Sequence, residues 1–433
     1  MRPLDVGIIG CGTAGPAAAL FLSRAGHAVT VYERVEAPKP IGAGIILQPT
    51  GQAVLTRLGL ADEVIRRGAR LDKLRVDRHD KVQLLELSYA HVDAAHFGVG
   101  LHRGVLFQVL FGAVQREGIP LRLGVSCERL ERDRGKYFVV DADGTRWGPH
   151  DMIVIADGAR SRLRDEVGTG RRADPYPWGA LWFIAKDPEQ VFSGELYQMV
   201  KGTRRMLGLL PTGLGPIEGR DDDEIPEVSL YWSIAGNQVD HFRNHGFADW
   251  KDEILRMVPH AEFVLDAIEG PHDVLFSAYH DVVMSPWHTR GVVTLGDAAH
   301  AMSPQLGQGA NLALWDAMVL ADSIEAEGGD LVRSLDRYSR ERRAHLGYYQ
   351  LVTRALTPFF QSDHDILGTL RDIAMPLLNK VPFFNRAMVL GMCGTADGHP
   401  WKQLALPNRQ SSKNQSPSRQ PPPGQTTSGA IGE

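Results

Sequence analysis

A chain of 433 residues is long for one compact core and points to two lobes. With 43% hydrophobic and 23% charged residues it has the make-up of an ordinary globular protein, and a net charge of −5 with interspersed signs gives no electrostatic case for nucleic acid. Its cysteines, Cys11, Cys127 and Cys393, are too few and too scattered for a disulfide framework or a metal cluster, so no metal is expected.

Residues 4–33 set the first pattern. "LDVGII" is a short apolar strand, "GCGTAG" a tight turn, "PAAALFLSRAG" a helix ending at Gly26, and "HAVTVYE" a second strand. A strand–helix–strand unit of about 30 residues implies parallel pairing with a right-handed crossover. The apolar run before the glycines is too short for a signal peptide, and no segment approaches the ~20 apolar residues of a membrane span. A cytoplasmic location is therefore expected. "TGQAVLTRLGLADEVIRRG" has helical spacing, "LDKLRVDRHDKVQLLELSY" reads as two strands around a turn near His79-Asp80, and 102–118 as a helix leading to the strand "PLRLGV". "KYFVVDADGTRWGPHDMIVIADG" gives a small meander turning at Asp143-Gly144. Residues 176–284 alternate and are rich in Trp and Tyr, which predicts a mostly antiparallel sheet. "GVVTL" at 291–295 is a buried strand, and about 329–394 is helical. Residues 407–433 lack the apolar side chains that offset ordering entropy and are expected to be disordered.

Three stretches carry chemistry. Gly10-x-Gly12-x-x-Gly15 lies between a strand and a helix, where the glycines allow a tight turn, close approach of a pyrophosphate and close helix packing. Glu33, about 20 residues on, is placed to accept from ribose hydroxyls and repels a ribose phosphate. This predicts ADP binding without choosing between NAD and FAD. The second stretch is "DMIVIADGARSRLR", with Asp157-Gly158 at a strand end and Ser161 and Arg164 following; alone it reads as a turn before a solvated basic helix start. The third, "GDAAHAMSPQLGQGANLAL" (296–314), has Asp297 at its entrance; alone it reads as a helix N-terminus shaped by Gly and Pro, with Asn311 and Asp316 incidental.

Together and in this order, the three resemble the single-component (group A) FAD-dependent aromatic hydroxylases, the para-hydroxybenzoate hydroxylase-like monooxygenases, from residue 4 to about 345. The resemblance implies FAD as cofactor and a Rossmann-like, discontinuous FAD-binding domain beside a mainly antiparallel substrate sheet, an α/β fold with C-terminal helices. The expected boundaries are 1–75, 96–172 and 285–345 for the FAD-binding domain, 76–95 and 173–284 for the sheet domain, 346–406 for the helical segment and 407–433 for the tail. Gly10, Gly12, Thr13, Ala14, Gly15, Glu33 and Arg34 would then hold the ADP half. Gly44 and Ile45 in "GAGI" would lie beside the flavin ring, and Arg103 would reach the phosphate and ribityl region. Family members carry a small residue and Asp after that arginine; here Gly104-Val105 follows. Asp157 and Gly158 would sit near the cofactor, braced by Arg164, in a motif also associated with nicotinamide contact. Asp297, as a buried carboxylate, would hold the ribityl hydroxyls. Pro304, Leu306, Gly307, Gln308, Gly309, Ala310 and Asn311 would line the ring, where a helix start stabilises negative charge on the reduced flavin. His300 is expected to pack or hydrogen-bond locally rather than act as a base.

The activity so implied is that of a monooxygenase which uses NAD(P)H and dioxygen, through a flavin hydroperoxide, to hydroxylate an aromatic or polyketide-like phenolic small molecule. No catalytic side chain is identified; the chain holds the ring, excludes water and orients the substrate. The rivals are a flavin-dependent halogenase, for which "LYWSIAG" does not supply the W-x-W-x-I-P motif, an isoprenoid reductase, and a non-catalytic flavin-binding protein. Tyr197 and Trp232 are the main substrate candidates, with Gln198 and Tyr231 beside them, although alternation turns half of such residues away. Arg204-Arg205 reads as an exposed turn. Residues 356–392 resemble the C-terminal part of the ubiquinone-type hydroxylase branch; core packing is expected there, in preference to a cap on a greasy substrate or contact with a membrane surface. The sequence leaves oligomeric state open.

Overall fold

The computed structural model describes residues 2–167, 170–221 and 223–407. The opening strand–helix–strand unit builds a six-stranded sheet in the order His288–Thr289, Val292–Thr294, Met152–Ile155, Asp5–Ile9, Ala28–Glu33, Leu121–Leu123. All neighbours pair in parallel except at the His288–Thr289 edge. The central strands are almost wholly buried, which is why they read as unbroken Val and Ile runs rather than alternating ones. Helix Ala14–Arg24 buries Ala14–Leu22 and packs on helix Gly309–Ala326. The meander Cys127–Asp133, Lys136–Asp141, Arg146–His150 docks onto the sheet through His150, whose ring nitrogens meet Asp5 at 2.5 Å and the Tyr32 hydroxyl at 2.8 Å.

The second sheet has nine strands. Its main path runs Leu275–Ser285, Gly170–Lys186, Pro226–Ala235, Arg205–Leu214, Gly194–Lys201, Ala69–Arg78, Gly98–His102, Gly44–Leu47, and Gln83–Ser88 pairs with Ala69–Arg78. Only Gly194–Lys201 against Ala69–Arg78 is parallel. Segments 44–47, 69–75 and 98–102, which the sequence groups with the nucleotide-binding part, hydrogen-bond into this sheet: Gly44 pairs with His102 and Ala69 with Gly100. One face carries Leu181, Leu209, Leu230 and Trp232 and is covered by helices Phe247–Met257 and Glu262–Asp266. The other carries Ala180, Val200, Leu210 and Tyr231 and packs toward the C-terminal helices.

Those helices are Leu331–Phe360, Asp365–Asn379 and Pro382–Met392. Core packing, expected for 356–392, fails in the middle one. Helix Asp365–Asn379 buries only Gly368 and Arg371, while Ile366, Leu370, Ile373 and Leu377 are 76%, 51%, 61% and 62% exposed. The reason is its anchor: the Arg371 guanidinium turns inward and donates to the carbonyls of Gly202 and Phe359, both at 2.9 Å, so the apolar stripe is left facing out. Of the expected disordered tail, residues 408–433 lie outside the described residues. Among the described residues no helix is long and apolar enough to cross a membrane.

Candidate active site

Parallel neighbours end at the same edge. Strands Asp5–Ile9, Met152–Ile155 and Val292–Thr294 are adjacent and parallel, so the three chemical stretches that follow them emerge side by side. The carboxyl edge of such a sheet is where nucleotide ligands bind.

The glycines behave as their spacing predicts. Gly10 has φ +101°, and a Cβ there would lie 2.4 Å from the Ala156 carbonyl; a Cβ on Gly15 would lie 1.9 Å from the Gly10 carbonyl. Gly12 faces open space, and a Cβ there would meet no atom within 4 Å. The first and third glycines are thus steric necessities, and the second leaves the backbone approachable. Glu33 accepts from the Cys11 N–H at 2.8 Å and the Val35 N–H at 3.0 Å, which fixes its carboxylate across the turn from Gly12. Thr13 and Ala14 open the helix, and Arg34 is exposed at the strand end.

Asp157 is half-buried, and its buried Oδ1 has no hydrogen-bond partner among the described residues. Burial pushes its carboxyl pKa up, opposed by the Ser161 hydroxyl. A buried acceptor left without a donor fits a site built for a hydroxyl-bearing ligand. Gly158, with φ +87°, turns the chain beside it. Arg164 is buried and donates to the carbonyls of Ala159 at 2.7 Å and Ala298 at 3.0 Å, tying the second stretch to the third.

Within the third stretch the expected acids exchange roles. Asp297 is exposed, not buried, because it projects from the sheet edge; its Oδ1 lies 3.7 Å from a Cβ built on Gly309, at the start of the long helix. The buried acid is Asp316. It accepts from the Gly296 N–H at 2.8 Å, from His300 Nε2 at 2.6 Å and from Arg342 Nε at 2.7 Å, and against the upward push of burial these contacts hold its carboxyl below the usual carboxylate range. His300 is therefore a brace, bonded on Nε2 and buried. Gly296, at φ +59°, is clamped between Ala14 and Ala313, each 3.2 Å from a Cβ built there. Nothing in the sequence singles out Asp316, since its partners are 16 and 26 residues away.

The loop Pro304–Gln308 is a single 3-10 turn closed by Gly307 at φ +60°. Leu306 and Ala310 pack partly buried against the main core. Gln308 is buried and turns away, donating to the Met392 carbonyl at 2.8 Å at the end of the last helix. Asn311 is fully engaged: it accepts from the Gln48 N–H at 2.8 Å and donates to the carbonyls of Ile46 at 3.0 Å and Gly307 at 3.1 Å. It pins the Gly44–Leu47 strand to the loop. Gly44 donates to Ser229 Oγ at 3.1 Å, and a Cβ there would lie 2.6 Å from the Ser229 Cβ; Ile45 is half-buried beside it. Arg103 begins helix Arg103–Arg116 against Gly42, its side chain exposed.

Two substrate candidates lie on the face turned away from the Pro304–Gln308 loop. Tyr197 and Trp232 pack on the side covered by Phe247–Met257, with Tyr197 donating to Asp77 at 3.2 Å. The strand period of two puts their neighbours Tyr231 and Gln198 on the opposite side. There Gln361 donates to the Tyr231 hydroxyl at 2.9 Å and accepts from Gln305 at 3.0 Å, linking the sheet to the Pro304–Gln308 loop. Trp182 stands edge-on to Tyr231 with ring centres 4.9 Å apart. Arg204 pairs with Asp363 and Asp365 at the exposed turn.

A parallel sheet whose carboxyl edge meets a loop beside a large antiparallel sheet is a two-sheet construction that can hold a nucleotide cofactor. The FAD binding domain family model matches residues 3–348, and the chain belongs to that family. It is an FAD-dependent monooxygenase, with NAD(P)H as the reductant typical of the class. It is 27% identical over 338 residues to the putative FAD-dependent monooxygenase YetM of Bacillus subtilis, covering 77% of this chain and 88% of that one. It is 25% identical over 405 residues to a 2-heptyl-3-hydroxy-4(1H)-quinolone synthase of Mycobacteroides abscessus, covering 92% and 96%. The structure of HpxO from Klebsiella pneumoniae complexed with FAD and uric acid superposes with a TM-score of 0.76 at 20% identity, over 90% of this chain and 97% of that one. The tetrameric form of 2-methyl-3-hydroxypyridine-5-carboxylic acid oxygenase gives 0.71, also at 20%, over 93% and 100%.

Proposed function

We propose that this edge holds one FAD along its length and that the enzyme hydroxylates an electron-rich aromatic small molecule placed between the Pro304–Gln308 loop and the Tyr231 face of the second sheet. The observation that carries the reading is the convergence of Gly10–Gly15, Asp157-Gly158 and Asp297 on three adjacent parallel strands. Gly10, Gly12 and Gly15 would take the pyrophosphate, Glu33 the adenosine ribose, Arg103 and Asp297 the region between, and Gly44, Ile45 and the Pro304–Gly309 backbone the ring. Bound there, FAD supplies hydride acceptance from NAD(P)H and activation of dioxygen.

The chain's own residues do the rest. With the ring held there, the N-terminus of helix Gly309–Ala326 would face it with its positive end and favour negative charge on it. Asp316, His300 and Arg342 hold the Asp297 loop from behind, and Asn311 fixes the ring loop to the Gly44–Leu47 strand. Tyr231, Gln361 and Gln305 offer a chain of hydrogen-bonding groups to a phenolic or amide-like substrate, with Trp182 as an aromatic wall. Relatives named for quinolone, hydroxynicotinate and aminohydroxybenzoate chemistry support an aromatic ring bearing an oxygen or nitrogen donor. We further propose that the first sheet with its helices forms the FAD-binding unit, and that the second sheet forms the substrate unit together with segments 44–47, 69–75 and 98–102.

Asp297→Ala tests the placement. Losing a charged acceptor removes about 1.5–3 kcal/mol, so FAD affinity measured by fluorescence titration should fall roughly tenfold to a hundredfold. A variant that retains FAD as tightly as the parent would show that Asp297 is not a ligand.

A further inference from the structure

Helix Asp365–Asn379 is amphipathic the wrong way round for a helix in water. Its Ile366, Leu370, Ile373 and Leu377, spaced along one face, are more than half exposed, and its buried anchor is an arginine. The stripe continues beyond the helix: Val381, Phe383, Phe384 and Trp401 are 42%, 55%, 42% and 50% exposed, and Phe383 stacks on Trp401 with ring centres 4.9 Å apart. A contiguous apolar surface of this kind marks a contact with something apolar. Residues 407–433 contain one large aliphatic or aromatic residue, Ile431.

Charge selects the partner. Most of the acid charge bordering the stripe is offset: Asp363 and Asp365 share Arg204, leaving one negative charge there, and Asp372 pairs with Arg371. Lys380 and Arg386 are exposed beside the apolar residues and have no acidic partner among the described residues. The rim is therefore net positive around an Ile, Leu, Phe and Trp surface, the make-up of an element that lies in a membrane interface with its apolar face inserted. We propose that this face docks the protein on an anionic lipid bilayer, helix Asp365–Asn379 lying parallel to the surface with Phe383, Phe384 and Trp401 at headgroup depth. Two ties join this face to the catalytic side: the last helix, which carries Phe383 and Phe384, receives the Gln308 side chain, and Arg371 holds the Phe359 carbonyl two residues before Gln361.

Vesicle sedimentation with the full chain tests the proposal, using phosphatidylcholine vesicles alone and with phosphatidylglycerol added. Binding to the anionic vesicles, weakened by salt, is expected. Lys380→Glu should lower it more than about fivefold, and Ile373→Asp with Leu377→Asp should abolish it. Both positions are exposed, so unchanged thermal melts would show that the fold survives. Absence of binding to either vesicle, or equal binding to both, overturns the proposal. So does a concentration-dependent dimer in sedimentation velocity that the Ile373 and Leu377 substitutions dissociate, which would assign the face to a second copy.

Discussion

Asp316 and Asp297 lie 19 positions apart by number and do opposite things. The first is buried and bonded on all sides; the second is exposed and free to meet a ligand. Their substitutions should separate accordingly. Asp316→Leu strands Arg342, which is fully buried, and should cost about 3–5 kcal/mol of stability; Asp297→Asn should leave the urea midpoint unchanged while weakening FAD. Denaturation of the two apo variants side by side checks this, and equal loss of stability would mean that Asp297 is structural. At Gly15 the constraint is steric, so Gly15→Val should prevent cofactor retention through the clash with the Gly10 carbonyl. The tight turn at Gly10 and the close packing at Gly15 were legible from local spacing, whereas Asp157 was singled out only by the family resemblance. Asp316 was legible in neither way, because a buried charge is explained only by partners that folding brings from elsewhere in the chain.

At the scale of elements, sequence periodicity located most strands of the two sheets, missed helices Phe247–Met257 and Glu262–Asp266 inside the stretch it reads as sheet, and left open which way the strand faces point. Tyr197 and Tyr231 look equally suited to a binding surface, yet Tyr197 packs with Trp232 under Phe247–Met257 and Tyr231 meets Gln361. A period of two says that alternate residues share a face and leaves open which face meets the loop. Tyr231→Phe should therefore raise KM for substrate several-fold with little loss of stability, whereas Trp232→Ala should destabilise by about 3–5 kcal/mol with KM unchanged in what folds. Steady-state kinetics together with thermal melts distinguish them. The same limit applies to helix Asp365–Asn379, whose spacing predicts a stripe and whose orientation was set by the distant carbonyls of Gly202 and Phe359.

For the whole molecule, the buried His345 and the half-buried His102 couple stability to pH. His345 accepts from Arg342 on Nδ1 and donates from Nε2 to the Gly394 carbonyl, and burial followed by the Arg342 charge lowers its pKa to about 3. His102 accepts the Gly104 N–H at 2.9 Å, and burial with Lys186 and Arg220 lowers its pKa to about 4. Both are neutral in the fold and protonate in the unfolded chain below the ordinary value of 6.5. The unfolded state then binds more protons, so stability falls as pH drops from 6.5 toward 4, by roughly 2 kcal/mol per group between pH 6.5 and 5. Urea denaturation at pH 7 and pH 5 should show the loss, and His345→Gln should reduce the slope. The central claim, that the two sheets together insert an oxygen atom from dioxygen into an aromatic substrate, is tested most directly by isotope. The FAD-loaded enzyme, given NAD(P)H and a panel of phenols and hydroxyquinolines under ¹⁸O₂, should yield a hydroxylated product carrying one ¹⁸O atom. Product oxygen drawn from water, a halogenated product, or NAD(P)H oxidation with no oxygenated product across the panel would contradict it.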